Sequence, residues 1–222
     1  MCGRKYSLEE LTWTDYRDML SLVPSVPATN FQPNHNIAPT HEVPVGYADG
    51  EGAHQLALMR WGLMPHWAKE AKIGAKMINA RAETLTEKPS FKPLLKAHRC
   101  AILVSGFYEW QREGKAKQAH KIAHGSDAPM IMAGLWTKNP ELDLTSYTVI
   151  TTAASDEMAR IHHRMPAILD PGAVDQWMDG DWDDAAPLLM PHPGPLAITA
   201  IPNAVGNVRN NYLELLDPLT AS

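Results

Sequence analysis

Short apolar runs rich in β-branched and aromatic residues, broken by glycine, aspartate and asparagine, occupy most of the chain from Val43 onward. "VPVGYA" (43–48) and "HQLALMRW" (54–61) predict two strands joined through an Asp49-Gly50-Glu51-Gly52 turn. Further strands are predicted at "CAILVS" (100–105), "GFYEWQ" (106–111), "AHKIAH" (119–124), "MIMAGLW" (130–136), "SYTVITT" (146–152) and "LAITAI" (196–201). Residues 112–115 supply a hairpin tip. Helical patterns gather at the ends. Ser7-Leu-Glu-Glu10 has the form of a capping box, and Leu8, Leu11, Met19 and Leu20 with Trp13 and Tyr16 predict a helix to about Leu22. Proline-rich coil then runs to Pro44. "SFKPLLKAHR" predicts a short helix, "SDEMARIHH" a helix capped by Ser155, and "PGAVDQWM" another with Pro171 in its first turn. Together these predict one α+β domain over residues 1–222, with a mostly antiparallel, barrel-like curved sheet and flanking helices.

Composition adds the setting. At 45% hydrophobic and 20% charged, 222 residues can bury a sizeable core. No apolar run reaches the length of a membrane span and no signal peptide is visible, so a cytoplasmic location is expected. The two cysteines, Cys2 and Cys100, suggest neither a disulfide nor a zinc site; Cys100 reads as a small buried hydrophobe. The formal net charge of −5 is unevenly spread. Residues 60–99 hold nine basic against three acidic residues, and residues 141–222 hold twelve acidic against three basic. A basic middle on an acidic protein is compatible with one face for a polyanion, or with a solvated face of mixed charge.

Several patterns carry candidate chemistry. Cys2 follows the initiator methionine directly, and its small side chain permits removal of Met1. The exposed residue would then carry an α-amine and a thiol on adjacent carbons. In "KMINARAET", an extended backbone would put Asn79, Arg81 and Glu83 on one face. In "GFYEWQ", alternation puts Glu109 with Phe107 and Gln111, opposite Tyr108 and Trp110; a carboxylate beside a phenyl ring suits proton transfer. "RIHHRMP" offers two histidines at a predicted helix end, where adjacent rings would point apart. "RWGLMPHW" sets tryptophans within the basic window, as single-stranded nucleic acid would need, and "AVGNVRN" adds a glycine turn able to donate N–H groups to phosphate. Each pattern also has a plain structural reading. No nucleotide-binding loop, serine-hydrolase elbow or zinc-protease motif occurs, and neither a cofactor nor a metal is expected.

Taken in order, "MCGR", "HNIAPT", "RWGLMPHWA", "INARAET", "FKPLL", "RCAILVSGFYEW", "TTAAS", "IHHRMPAIL" and "AVGNVRN" resemble the SRAP (SOS-response-associated peptidase) family from Cys2 to about Asn210. The resemblance implies a sensor of abasic sites in single-stranded DNA, nucleoid-associated when bound to damage. Cys2, freed of Met1, would close a thiazolidine on the ring-opened deoxyribose aldehyde. It further implies that Asn79 holds the amino end and the sugar, that Glu109 moves protons, and that His162 assists Schiff-base chemistry and reversal. Gly3, Arg4, Pro39, Trp67, Arg81, Thr151, Arg164, Gly206, Asn207 and Arg209 are the implied DNA contacts, in a protein expected to be monomeric. The sequence departs from the family pattern at His163, Lys88 and Ala68, where an acid, an arginine and an aromatic are usual.

Other readings make different predictions. "MCG" also begins glutamine amidotransferases, in which a cysteine thiolate attacks an amide with its own α-amine as base; a glutaminase assay would reveal this. A peptidase reading centres on removal of the chain's own Met1. A non-covalent single-strand binder would bind salt-sensitively even with Cys2→Ala.

Overall fold

The computed structural model describes residues 2–9, 11–24, 26–28 and 31–219. Five strands close a small barrel: β3 (Glu42–Ala48), β4 (His54–Trp61), β6 (Arg99–Val104), β9 (Met130–Asn139) and β10 (Leu144–Ala153). β4, β3, β6, β9 and β10 pair antiparallel in that order, and a parallel pairing of β10 with β4 closes the ring. A second, antiparallel sheet runs β13 (Leu196–Ala200), β8 (Ala116–His124), β7 (Gly106–Glu113), β1 (Arg4–Ser7) and β2 (Asn34–Ile37). Short strands complete the first sheet: β5 (Asn79–Arg81) lies parallel to β10, β11 (Arg164–Pro166) flanks β10, and β12 (Ile168–Leu169) flanks β9.

Alternation along the strands divides the core. Cys100 and Ile102 of β6, Met132 of β9, Tyr147 and Val149 of β10, Val45 of β3 and Trp61 of β4 share one buried cluster with Phe107 and Ile122 of the second sheet. This is the barrel lining, over which the second sheet packs. The alternate residues Ala101, Leu103, Ile131, Ala133 and Leu135 face outward into another cluster with Tyr16 and Trp177. Two short helices cover that face: α1 (Trp13–Met19) contributes Tyr16, and α3 (Val174–Asp179) contributes Trp177. At about 25 cal/mol per Å² of apolar surface removed from water, each fully enclosed large side chain contributes roughly 2 kcal/mol.

The predicted strands appear, with β7 and β8 joined at Gly114, whose φ of +58° suits glycine. Three expectations are corrected. The first helix begins at Trp13, capped by Thr12, whose hydroxyl and backbone exchange hydrogen bonds with Asp15. Ser7 ends strand β1, and Glu10 of the expected capping box lies outside the described residues. The coil expected before Pro44 contains β2, and β3 begins at Glu42. "SDEMARIHH" gives only one turn, α2 (Asp156–Ala159), capped by Ser155 as expected, so both histidines lie beyond the helix.

β5 is placed by a close backbone approach. Gly62 has φ +116°, and a Cβ on it would meet the Gly74 carbonyl oxygen at 2.6 Å. The Gly62 N–H bonds the Tyr147 carbonyl, while that of Leu63 bonds the Met77 carbonyl, bringing the chain back to run beside β10.

Candidate active site around Cys2

Cys2 precedes β1, which lies between β2 and β7. Its side chain is 1% exposed and joins the barrel-lining cluster, with Sγ 3.7 Å from the Arg4 carbonyl oxygen. The parallel register of β5, Asn79 opposite Val149, delivers Asn79 from the other side. There the Asn79 Nδ2 donates to the Cys2 carbonyl at 2.7 Å.

Glu109 comes from β7, paired with His120 of β8. It is 5% exposed, and its Oε1 accepts the Trp110 N–H at 3.1 Å. His162 follows α2, and its Nδ1 lies 3.0 Å from the Arg164 backbone nitrogen and 3.2 Å from the Arg164 carbonyl oxygen. The His163 ring stacks on it at 4.3 Å between centroids, 26° from parallel, so the neighbouring rings do not point apart as a helix would have set them.

Electrostatics ties these groups together. Burial pushes the Cys2 thiol up to about 12, Lys5 opposes that shift and Glu109 adds to it. Burial lowers His162, while Glu109 pulls it back up. One carboxylate therefore acts on both the thiol and the imidazole. The four residues singled out for chemistry come from just before β1, from β5, from β7 and from the turn between α2 and β11; Asn79 bonds Cys2, and Glu109 acts on both Cys2 and His162.

The implied DNA contacts divide into two kinds. Trp67 is 54% exposed, and Arg81, Gly206, Asn207 and Arg209 are also on the surface. Gly3 and Pro39 are half-buried. Arg4, Thr151 and Arg164, by contrast, are engaged within the protein. Arg4 bonds Asn36 Oδ1 at 2.8 Å and the carbonyls of Val205 and Gly206 at 2.6 and 3.0 Å. The Asn36 amide also reaches the carbonyls of Val205, Asn207 and Asn210, so this loop turns carbonyls inward. Arg164 forms a bidentate pair with Glu83 at 2.5 and 2.9 Å and also bonds the Thr151 carbonyl. Thr151 is buried, its hydroxyl on the Ala80 carbonyl. The expected common face of Asn79, Arg81 and Glu83 holds only over β5, because the chain turns at residues 82–84 and Glu83 leaves to meet Arg164. Of the departures from the family pattern, Lys88 and His163 are exposed and Ala68 is buried.

Sequence reasoning missed Lys5. This lysine is 0% exposed, and its Nζ donates to the Tyr147 hydroxyl at 2.6 Å, 4.0 Å from the Trp61 ring centroid. The only signal for it is alternation, which sets Lys5 on the opposite face of β1 from Arg4 and Tyr6. A cavity of about 660 Å³, lined by Tyr6, Ser105 and Lys121 among others, contains none of the four residues around Cys2.

A family model described as SOS response associated peptidase (SRAP) matches residues 1–208. The chain is 37% identical over 225 residues to the abasic site processing protein YoaM of Bacillus subtilis, covering 98% of each. It is 34% identical to the abasic site processing protein HMCES of Gallus gallus, covering 85% of this chain and 67% of that one. A crystal structure of a Bacteroides thetaiotaomicron protein shares the fold with a TM-score of 0.83 at 21% identity, covering 99% of this chain and all of the other.

Proposed function

This chain belongs to the SOS response associated peptidase family, and on that premise we propose that it captures abasic sites in single-stranded DNA covalently, through Cys2. Removal of Met1 would leave Cys2 with an α-amine of pKa near ~8, about two units below a free lysine, so a useful fraction is neutral at physiological pH. That amine attacks the ring-opened aldehyde, loses water and gives a Schiff base. The Cys2 sulfur then adds to the same carbon and closes a five-membered thiazolidine. An internal cysteine has no free amine with which to do this.

The observation that carries the reading is the convergence on Cys2. Asn79 fixes its carbonyl, while Glu109 and His162 are electrostatically linked to each other, and Glu109 also to the thiol. Glu109 is suited to take the proton of the attacking amine and return it to the departing water, and His162 to exchange protons at the imine. Exposed Trp67, Arg81 and Arg209 supply a ring for base stacking and cations for phosphate, which favours single strands. Arg4 and Arg164 then act by holding the 204–210 loop and the β10–β11 edge in place.

The test begins with intact mass to establish loss of Met1. The protein is then mixed with a single-stranded oligonucleotide carrying one abasic site. An adduct that survives detergent and heat, and is lost in Cys2→Ala, is the expected result. A processed wild-type protein that forms no adduct would falsify the proposal. Salt-sensitive binding that persists unchanged in Cys2→Ala, with no adduct, would assign the protein to non-covalent binding instead.

A further inference from the structure

Lys5 is a buried cation without a carboxylate partner among the described residues. Its ammonium has one neutral oxygen, the Tyr147 hydroxyl, and two aromatic faces, Trp61 at 4.0 Å and Tyr147 at 4.6 Å. Those rings lie nearly parallel, 10° apart, and hold the head group inside the barrel lining that also encloses the Cys2 side chain. The titratable groups acting on Lys5 are Cys2, just before its own strand, and Cys100 from β6; Tyr147 from β10 meets it as hydrogen-bond partner. From β7, Glu109 acts on Cys2, and from the turn after α2 His162 acts with Glu109. A lone charge in so apolar a place is costly unless something nearby gains from it.

We propose that Lys5 is a positioning residue for ring closure: its ammonium, fixed by Trp61 and Tyr147, favours the thiolate of Cys2 over the thiol. The proposal rests on the capture chemistry above and concerns its second step. In the protonated Schiff base the former aldehyde carbon is electrophilic. Cys2 Sγ–H releases its proton to solvent, the thiolate pair forms the C–S bond, and the C=N π pair returns to nitrogen. No oxidant or reductant is needed. Glu109 disfavours the thiolate and Lys5 favours it, so the two separate the roles of proton carrier and thiol activator. Burial brings Lys5 down to about 7, so its charge is itself present only up to neutral pH.

Formaldehyde, which needs no DNA site, is the probe. The full chain lacking Met1 is mixed with it, and closure at Cys2 is followed by mass, with and without borohydride to trap the open imine. Lys5→Met keeps the apolar stem and removes the charge; it is expected to close about tenfold more slowly near neutral pH, with the trapped imine accumulating. Its rate is also expected to rise more steeply with pH than the wild type's, because wild-type Lys5 loses its charge as pH rises. A cooperatively melting Lys5→Met with wild-type closure and pH slope overturns the proposal. Tyr147→Phe, which removes the hydrogen bond to Nζ and keeps the ring, is expected to slow closure severalfold in the same direction; unchanged closure there counts equally against it. The abasic oligonucleotide is run in parallel. Wild-type closure on formaldehyde without any DNA adduct would overturn the proposed function and leave the role of Lys5 standing.

Discussion

Two buried cations sit on opposite sides of the same sheet, and they are treated differently. Arg99 begins β6 on the outer, helix-covered face and is 2% exposed. Its guanidinium donates to the carbonyls of Leu95, Trp177, Met178 and Gly180, closing the end of α3 onto the barrel. A cation at a helix C-terminus also meets the negative end of the helix dipole. Lys5 faces the lining, with one phenol and two rings. Arg99 is saturated by fixed acceptors and so holds structure. Lys5 is under-coordinated, its charge reaches the neighbouring thiols, and its environment allows it to lose that charge near neutrality. How completely a buried charge is answered separates a structural role from a chemical one.

The comparison breaks first at Arg99. Arg99→Met strands four carbonyl acceptors and is expected to cost about 3 kcal/mol or more in urea unfolding. Adduct formation per folded molecule should not change; a loss of rate at full folding would mean the outer face also serves the chemistry. Glu109→Gln is the reverse case, with adduct formation slowed about 100-fold and little change in unfolding midpoint. The third test concerns pH. Lys5 ionises at about 7 when folded against an ordinary 10.5, so above about 7 the unfolded chain holds a proton that the folded one lacks. Stability then rises with pH by up to about 1.4 kcal/mol per unit. Above the ordinary thiol value of 9.0, the raised Cys2 and Cys100 act in the opposite sense. Lys5→Met should lack the rise, and equal slopes in the two proteins would mean that folding does not perturb Lys5. Smallest is Asn79→Ala, which loses the bond to the Cys2 carbonyl, about 1 kcal/mol, and should slow the adduct severalfold, read from single-turnover time courses.

The barrel strands were legible because their apolar runs end at glycine and asparagine turns, as at Gly50 and Gly52 after β3 and at Asn139, which ends β9. β1 and β2 were not, since "RKYS" and "NHNI" look polar. Their buried polar side chains are answered only by distant partners, Tyr147 for Lys5 and the 205–210 carbonyls for Asn36. Asn79, Glu109 and His162 were identified through resemblance and a strand pattern, and the fold brings all three to Cys2 or to one another. The arginines were harder. A guanidinium reads as a phosphate contact in any basic stretch, and only the tertiary structure shows that Arg4 and Arg164 already have acceptors.

The order in which the pocket is assembled along the chain also sets a clock. Cys2 is enclosed by residues that the ribosome makes later, from Ile37 and Val45 through Phe107 to Met165. At ~5–20 residues per second, the amino end emerges on the order of ten to thirty seconds before its enclosure can be completed. An aminopeptidase working on nascent chains meets an open terminus throughout that interval.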